Sequence, residues 1–264
     1  MKKYLALIRS GMVEALVYRT SFVLKIVGNL IYIIIIYYLW KAIFQSSGTG
    51  TVAGMTFPQT MVYLVLASSL FAVMEVYLVW GTHNAMQSGQ IVSQLIKPVG
   101  YRAYNYCPFF GAMIMDFIIT FIPTFILVYF LSGGYFDLGI NLLWFIISII
   151  IAVNISLSID YFVSCIVLYT QSVWGLNIVK ETIVMLFGGA AIPLAFFPEP
   201  LKTIVSYMPF QAIYNAPMMQ LLGEAAPQKR LGMLLVQLLW AVVVYAASEL
   251  FWRRAVKVVT VNGG

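Results

Sequence analysis

Apolar residues run almost unbroken through 22–44, 57–80, 107–131, 138–165, 176–196 and 231–251, and charged and strongly polar residues gather between these stretches. A helix crossing a bilayer needs about 20 mostly apolar residues, and the chain supplies that length repeatedly. The pattern predicts an all-α membrane protein with six transmembrane helices. Residues 1–20 differ. Lys2 and Lys3 begin them as they would a signal peptide, but Arg9, Glu14 and Arg19 interrupt any apolar core, so this segment is expected to stay in the mature chain. Wound as a helix, it gathers Leu5, Ile8, Met12, Ala15 and Leu16 on one side, with Ser10 and Glu14 opposite. That arrangement predicts an amphipathic helix lying at the membrane interface.

Charge orients the spans. The loops 45–56 and 132–137 contain no Lys or Arg, whereas Lys2, Lys3, Arg9, Arg19 and Lys25 flank the first span, Lys97 and Arg102 follow the second, and Arg253, Arg254 and Lys257 follow the last. By the positive-inside rule both termini are cytoplasmic. Lys202, Lys229 and Arg230 run against that count, accompanied by Glu199 and Glu224. Composition agrees with a lipid solvent: 62% of the 264 residues are hydrophobic and 9% charged, against roughly a quarter charged in soluble domains. Mean hydropathy is +0.94. The net charge of +6 sits beside apolar spans, so it marks the cytoplasmic side and no nucleic-acid partner is expected. Cys107 and Cys165 fall near cytoplasmic span ends, where thiols stay free. A lone histidine, His83, cannot build a metal site, and none is expected. No repeat period or linker divides the chain, which reads as one domain over 1–264.

Two inter-span segments carry more information. In 83–106, Gly89 starts and Pro98 stops a short helix that places Ile91, Leu95 and Ile96 on a partly apolar face beside Gln94 and Lys97. Such a helix either lies on lipid or docks into a groove of a soluble partner. In 197–230, the prolines rule out one continuous helix, yet the intervening residues are too apolar for a free aqueous loop. Broken helices dipping into the outer leaflet satisfy both facts, as a gate at the outer mouth or as a packed cap.

These features together resemble bacterial ABC-2 type permeases over nearly the whole chain. The residues carrying the likeness are the amphipathic amino terminus, the six apolar runs, the 89–98 segment and above all the series Pro193, Phe196, Phe197, Pro198, Pro209, Phe210, Pro217 and Gly223. Within that group the chain looks most like permease components encoded with an ATPase and often with a second, related permease. The resemblance implies that 83–106 is the coupling loop docking on a nucleotide-binding ATPase subunit, through Gly89, Gln90, Ile91, Leu95, Ile96, Lys97 and Pro98. It implies a substrate pathway completed by a second permease subunit, identical or related. It also implies a re-entrant helical segment before the last span, a location in the bacterial cytoplasmic membrane, and export. ATP and Mg²⁺ would sit on the partner ATPase, with no cofactor on this chain.

The residues agree with a split machine: there is no G-x-x-x-x-G-K-[ST] loop, H-E-x-x-H or G-x-S-x-G. Acids inside apolar runs are functional candidates by default, because burying a charge in lipid is expensive. Asp116, Thr120 and Thr124 form one stripe, Ser156, Asp160 and Ser164 another, with Asn154 deeper on a neighbouring face. Asp116, Asn154 and Asp160 are therefore candidates for a pathway or for an ion-pair network bracing the cytoplasmic end. Two other function classes stay open. One is a stand-alone proton-coupled secondary transporter, carried by Asp116 and Asp160. The other is a noncatalytic membrane scaffold or immunity protein. The lack of obvious inverted repeats counts against the first, and the second has no positive signature.

Overall fold

The computed structural model describes residues 2–17, 19–48, 50–75, 78–132, 139–170, 172–223 and 227–258. Residues 133–137 of the arginine- and lysine-free loop lie outside this set, as does Glu224. Helix α1 (Lys2–Val17) precedes α2 (Arg19–Ser47), and a two-residue antiparallel hairpin, Thr51–Val52 with Met55–Thr56, turns the chain through Ala53 and Gly54, both at positive φ. Left-handed backbone at both turn positions matches the twist of paired strands. Helix α3 (Phe57–Met74) starts from a capping box: Thr56 Oγ1 accepts from the Gln59 amide and Gln59 Oε1 accepts from the Thr56 amide. Its end comes at Glu75, whose ψ of 107° is extended, and α4 (Leu78–Gln87) continues beyond.

A short α5 (Gln90–Leu95) leads into α6 (Tyr101–Asp116), which passes through a π-helical turn (Phe117–Phe121) into α7 (Ile122–Leu131). Then follow α8 (Gly139–Thr170) and α9 (Trp174–Phe187), and two single 3₁₀ turns, Leu194–Phe196 and Phe210–Ala212, flank α10 (Glu199–Ser206). The last elements are α11 (Asn215–Leu222) and α12 (Pro227–Ala255). Among the described residues, five stretches are long and apolar enough to cross a membrane: Val23–Ser47, Phe57–Gln87, Tyr101–Leu131, Gly139–Thr170 and Gln228–Ala255. Apolar side chains on their outer faces stay uncovered, among them Leu24, Ile31 and Ile35 on α2, Leu127 and Phe130 on α7, and Leu235 and Val242 on α12. In water that surface would be untenable. The chain is an all-α membrane protein.

The stretch 176–196 does not form a continuous sixth helix. Helix α9 has 14 residues and so is about 21 Å long, short of a hydrocarbon core about 30 Å thick. The stop has a local cause. A Cβ on Gly188 would lie 2.3 Å from Val184 O and 2.7 Å from the Tyr214 ring, and Gly189 turns the chain at φ +86°, 2.6 Å from Tyr63 Oη on the same measure. Only glycine tolerates both demands.

Helix α3 is the centre of the bundle, buried along almost its whole length, with α11 and α12 packed on α8 and with α2 against α3 at the periphery. The first helix does not stand alone: α1 packs along α6, where a Cβ on Gly11 would collide with Pro108 O and one on Gly111 with Ile8 O. Two glycines facing a neighbouring backbone allow this close approach. Contacts among α1, α5, α6 and the end of α12 define one end of the bundle, and the hairpin, α10 and α11 lie at the other.

Candidate functional site

The corner between α4 and α6 is built to hold a short helix outward. Gly89 sits at φ +70° as the residue before α5, a conformation that costs a side-chain-bearing residue but not glycine. From there one turn and a half of helix anchors itself through Ile91, which is only 2% exposed and belongs to the core. Beyond the anchor, Gln90, Leu95, Ile96, Lys97 and Pro98 are all exposed, Ile96 by 80%. The tip is fastened from both sides. Lys97 Nζ donates to Tyr104 Oη at 2.7 Å and rests 4.0 Å from that ring's centre, while Lys3 Nζ on α1 donates to Pro98 O at 2.7 Å. An apolar pair ringed by polar groups is thus presented by a held scaffold, and covering such side chains is worth about 1.5–3 kcal/mol each.

Immediately after this corner, the first turn of α6 is bolted to the rest of the bundle. The Arg102 guanidinium donates to Ser158 Oγ on α8 at 2.8 Å and to Tyr245 O on α12 at 3.3 Å, and lies 3.8 Å from the Glu249 carboxylate. It also stacks 3.7 Å over Tyr245, 4.8 Å over Tyr106 and 4.9 Å over Tyr161. Tyr101 lies parallel to Trp252 with centres 4.2 Å apart. These contacts join the start of α6, next to the α5 corner, to α8 and α12.

Asp116 and Asp160 are both paired. Asp116 lies 3.0 Å from Lys25, joining α6 to α2 just before the π-helical turn, and Asp160 lies 2.7 Å from Lys180, joining α8 to α9. Glu181 shares Lys180 at 3.7 Å and accepts a hydrogen bond from Asn177, and Glu249 also meets Arg253 at 3.3 Å. Ser156 and Ser164 are buried near Asp160, with Ser164 Oγ donating to Asp160 O. Asn154 does not join them: it is exposed on the outer face of α8, while Ser158 turns inward to Arg102.

At the other end, the proline series divides the chain into short pieces. Pro198 precedes α10, Pro209 precedes a 3₁₀ turn, and Pro217 lies buried near the start of α11. Phe197 packs with Leu194 and Val205, the Phe196 ring sits 4.4 Å from Trp40, and Pro193 and Phe210 bound the two 3₁₀ turns. Gly223 ends α11 at φ +74°, where a Cβ would meet Asn141 Nδ2 at 2.4 Å.

Sequence reasoning missed the latch behind these pieces. Arg230 donates to Gly223 O at 2.8 Å and to Asn141 Oδ1, and Gln220 donates to Arg230 O at 2.9 Å. Deeper, Gln237 donates to Ala212 O at 2.7 Å and accepts from Ser148 Oγ at 2.7 Å. Arg230 is thus a buried structural group rather than a free loop cation. Gln237 and Asn141, strongly polar residues inside apolar runs, were the signal available in the sequence.

No curated protein matches this chain. A family description does: residues 30–263 match that of an ABC-2 family transporter protein. With nearly the whole helical bundle inside the match, including the α5 corner and the latched short helices, the chain belongs to the ABC-2 family of transporter proteins and is a membrane transport component.

Proposed function

We propose that this chain is the permease subunit of an ATP-binding-cassette exporter, driven by a separate ATPase that docks on α5. The observation that carries the reading is the α5 corner: Ile91 is locked into the core while Leu95 and Ile96 stand exposed on a fastened turn. Exposed apolar residues on a rigid short helix suit a groove in a soluble subunit. ATP and Mg²⁺ belong to that ATPase. The α5 end gathers Lys3, Lys97, Arg102 and Arg253, which supports placing it, with both chain ends, on the cytoplasmic side of a bacterial membrane. On this reading α9 and the short helices after it serve as the sixth, re-entrant crossing. A second permease subunit completes the pathway, and the peripheral α2 fits that role. The ion pairs of Asp116 and Asp160 support a bracing role for these acids.

The test replaces both Leu95 and Ile96 by Asp in the purified chain reconstituted with its ATPase. Coupled ATP turnover and transport are expected to fall at least about tenfold, the effect of losing two buried apolar contacts, with the variant still eluting as a single species. Unchanged turnover and transport would overturn the reading.

A further inference from the structure

Two cavities adjoin where α3 breaks before α4. The larger, of about 290 Å³, opens between α2, α3 and the end of α9 and is walled by Gly28, Tyr32, Phe71 and Met185. The smaller, of about 20 Å³, has room for about one water and lies against Asp160, Lys180 and Tyr214. Phe71 and Glu75 line both.

Glu14 aside, which is exposed on α1, Glu75 stands apart from the other described acids. Asp116, Asp160, Glu181, Glu199 and Glu249 each lie within 3.8 Å of a Lys or Arg nitrogen, whereas Glu75 has no ion-pair partner among the described residues. Lys25 borders the larger cavity but is committed to Asp116 at 3.0 Å. The wall therefore carries one uncompensated carboxylate. A half-buried charge at such a depth is costly unless something meets it. Around it stand aromatic faces, Tyr32, Phe71 and Tyr214, which attract cations through the negative face of the ring.

The geometry points to a binding site for an amphiphilic organic cation, with the cationic centre in the larger cavity at Glu75, beside Tyr32 and Phe71, and the apolar body against α2 and Met185. This names the substrate class of the transporter and rests, for transport though not for binding, on the function proposed above. An anion of the same shape meets the unpaired carboxylate in a poorly screened setting and is rejected.

Tetraphenylphosphonium and tetraphenylborate, alike in shape and opposite in charge, provide the probes. Equilibrium binding is measured on the purified chain with its ATPase in lipid nanodiscs. Tetraphenylphosphonium binds, and tetraphenylborate binds more weakly. Glu75→Gln weakens tetraphenylphosphonium by about tenfold or more, the loss of one charge pair in a partly buried site. A second variant, Gly28→Leu, fills the cavity without touching a charge, since a Cβ there meets nothing within 4 Å, and it weakens the cation as well. Equal affinity for the two ions in the wild type, or full cation affinity in both variants, overturns the inference. If cation binding depends on Glu75 while the Leu95 and Ile96 double variant stays fully coupled, the site stands and the ATPase-driven reading fails. The reverse pattern sinks the site alone.

Discussion

At the scale of single residues, the pair between Asp160 and Lys180 is the most consequential. Both side chains are sheltered, with Asp160 at 3% exposure and Lys180 at 9%, so neither charge is open to bulk water. Removing one partner leaves the other charge buried alone. Asp160→Asn is expected to cost about 3–5 kcal/mol of stability, and Asp160→Asn combined with Lys180→Met to recover most of it. Thermal unfolding of the purified protein reads both, and a single variant as stable as the wild type would refute the argument. The glycines act by the opposite means, through absence. Gly11, Gly111, Gly188 and Gly189 each occupy a position where a Cβ would strike backbone or a buried ring. For Gly11 that contribution is invisible in the sequence, because the obstructing atom, Pro108 O, comes from far along the chain.

Between elements, the Arg102 joint links the exposed α5 corner to α8 and α12. Lysine in its place keeps a positive charge but loses the planar group that stacks on Tyr106, Tyr161 and Tyr245 while donating to Ser158 and Tyr245. In Arg102→Lys, solute moved per ATP hydrolysed is expected to fall while ATP turnover persists; a constant ratio counts against force passing through this joint. The long helices were legible in the sequence because their apolar runs need no tertiary context, and α5 was legible because Gly89 and Pro98 bracket it. The limit of α9 was only hinted at, by the adjacent Gly188 and Gly189. Its apolar run continues to Phe196, and the stop at Phe187 depends on Tyr63 and Tyr214 packing over Gly188 and Gly189. The π-helical turn at Phe117–Phe121 left no mark in composition either. The helical period placed Asn154 deep on α8 beside Ser158, but could not tell that its side of the helix is left uncovered.

Taken whole, the molecule has two chemically different ends, which fixes its orientation test. Ser93 is exposed beside the α5 corner and Ser46 is exposed near the hairpin. In a background with Cys107 and Cys165 replaced by Ala, single cysteines at these two positions are expected to react with a membrane-impermeant maleimide from opposite faces of the membrane, Ser46→Cys in intact cells and Ser93→Cys only in inverted vesicles. Labelling of both from one face would refute the orientation. The shortness of α9 has a mechanical meaning at this scale. On the proposed reading of α9 as the start of a sixth crossing, the last stretch of about 10 Å is closed by separate short segments. Beside the buried latch of Arg230 and Gln237, the Asn215 amide donates to Gly188 O and the Tyr63 hydroxyl on α3 donates to Asn215 Oδ1. Each such link is worth about 0.5–1.5 kcal/mol, so this face of the bundle is joinery of separate pieces rather than one continuous rod.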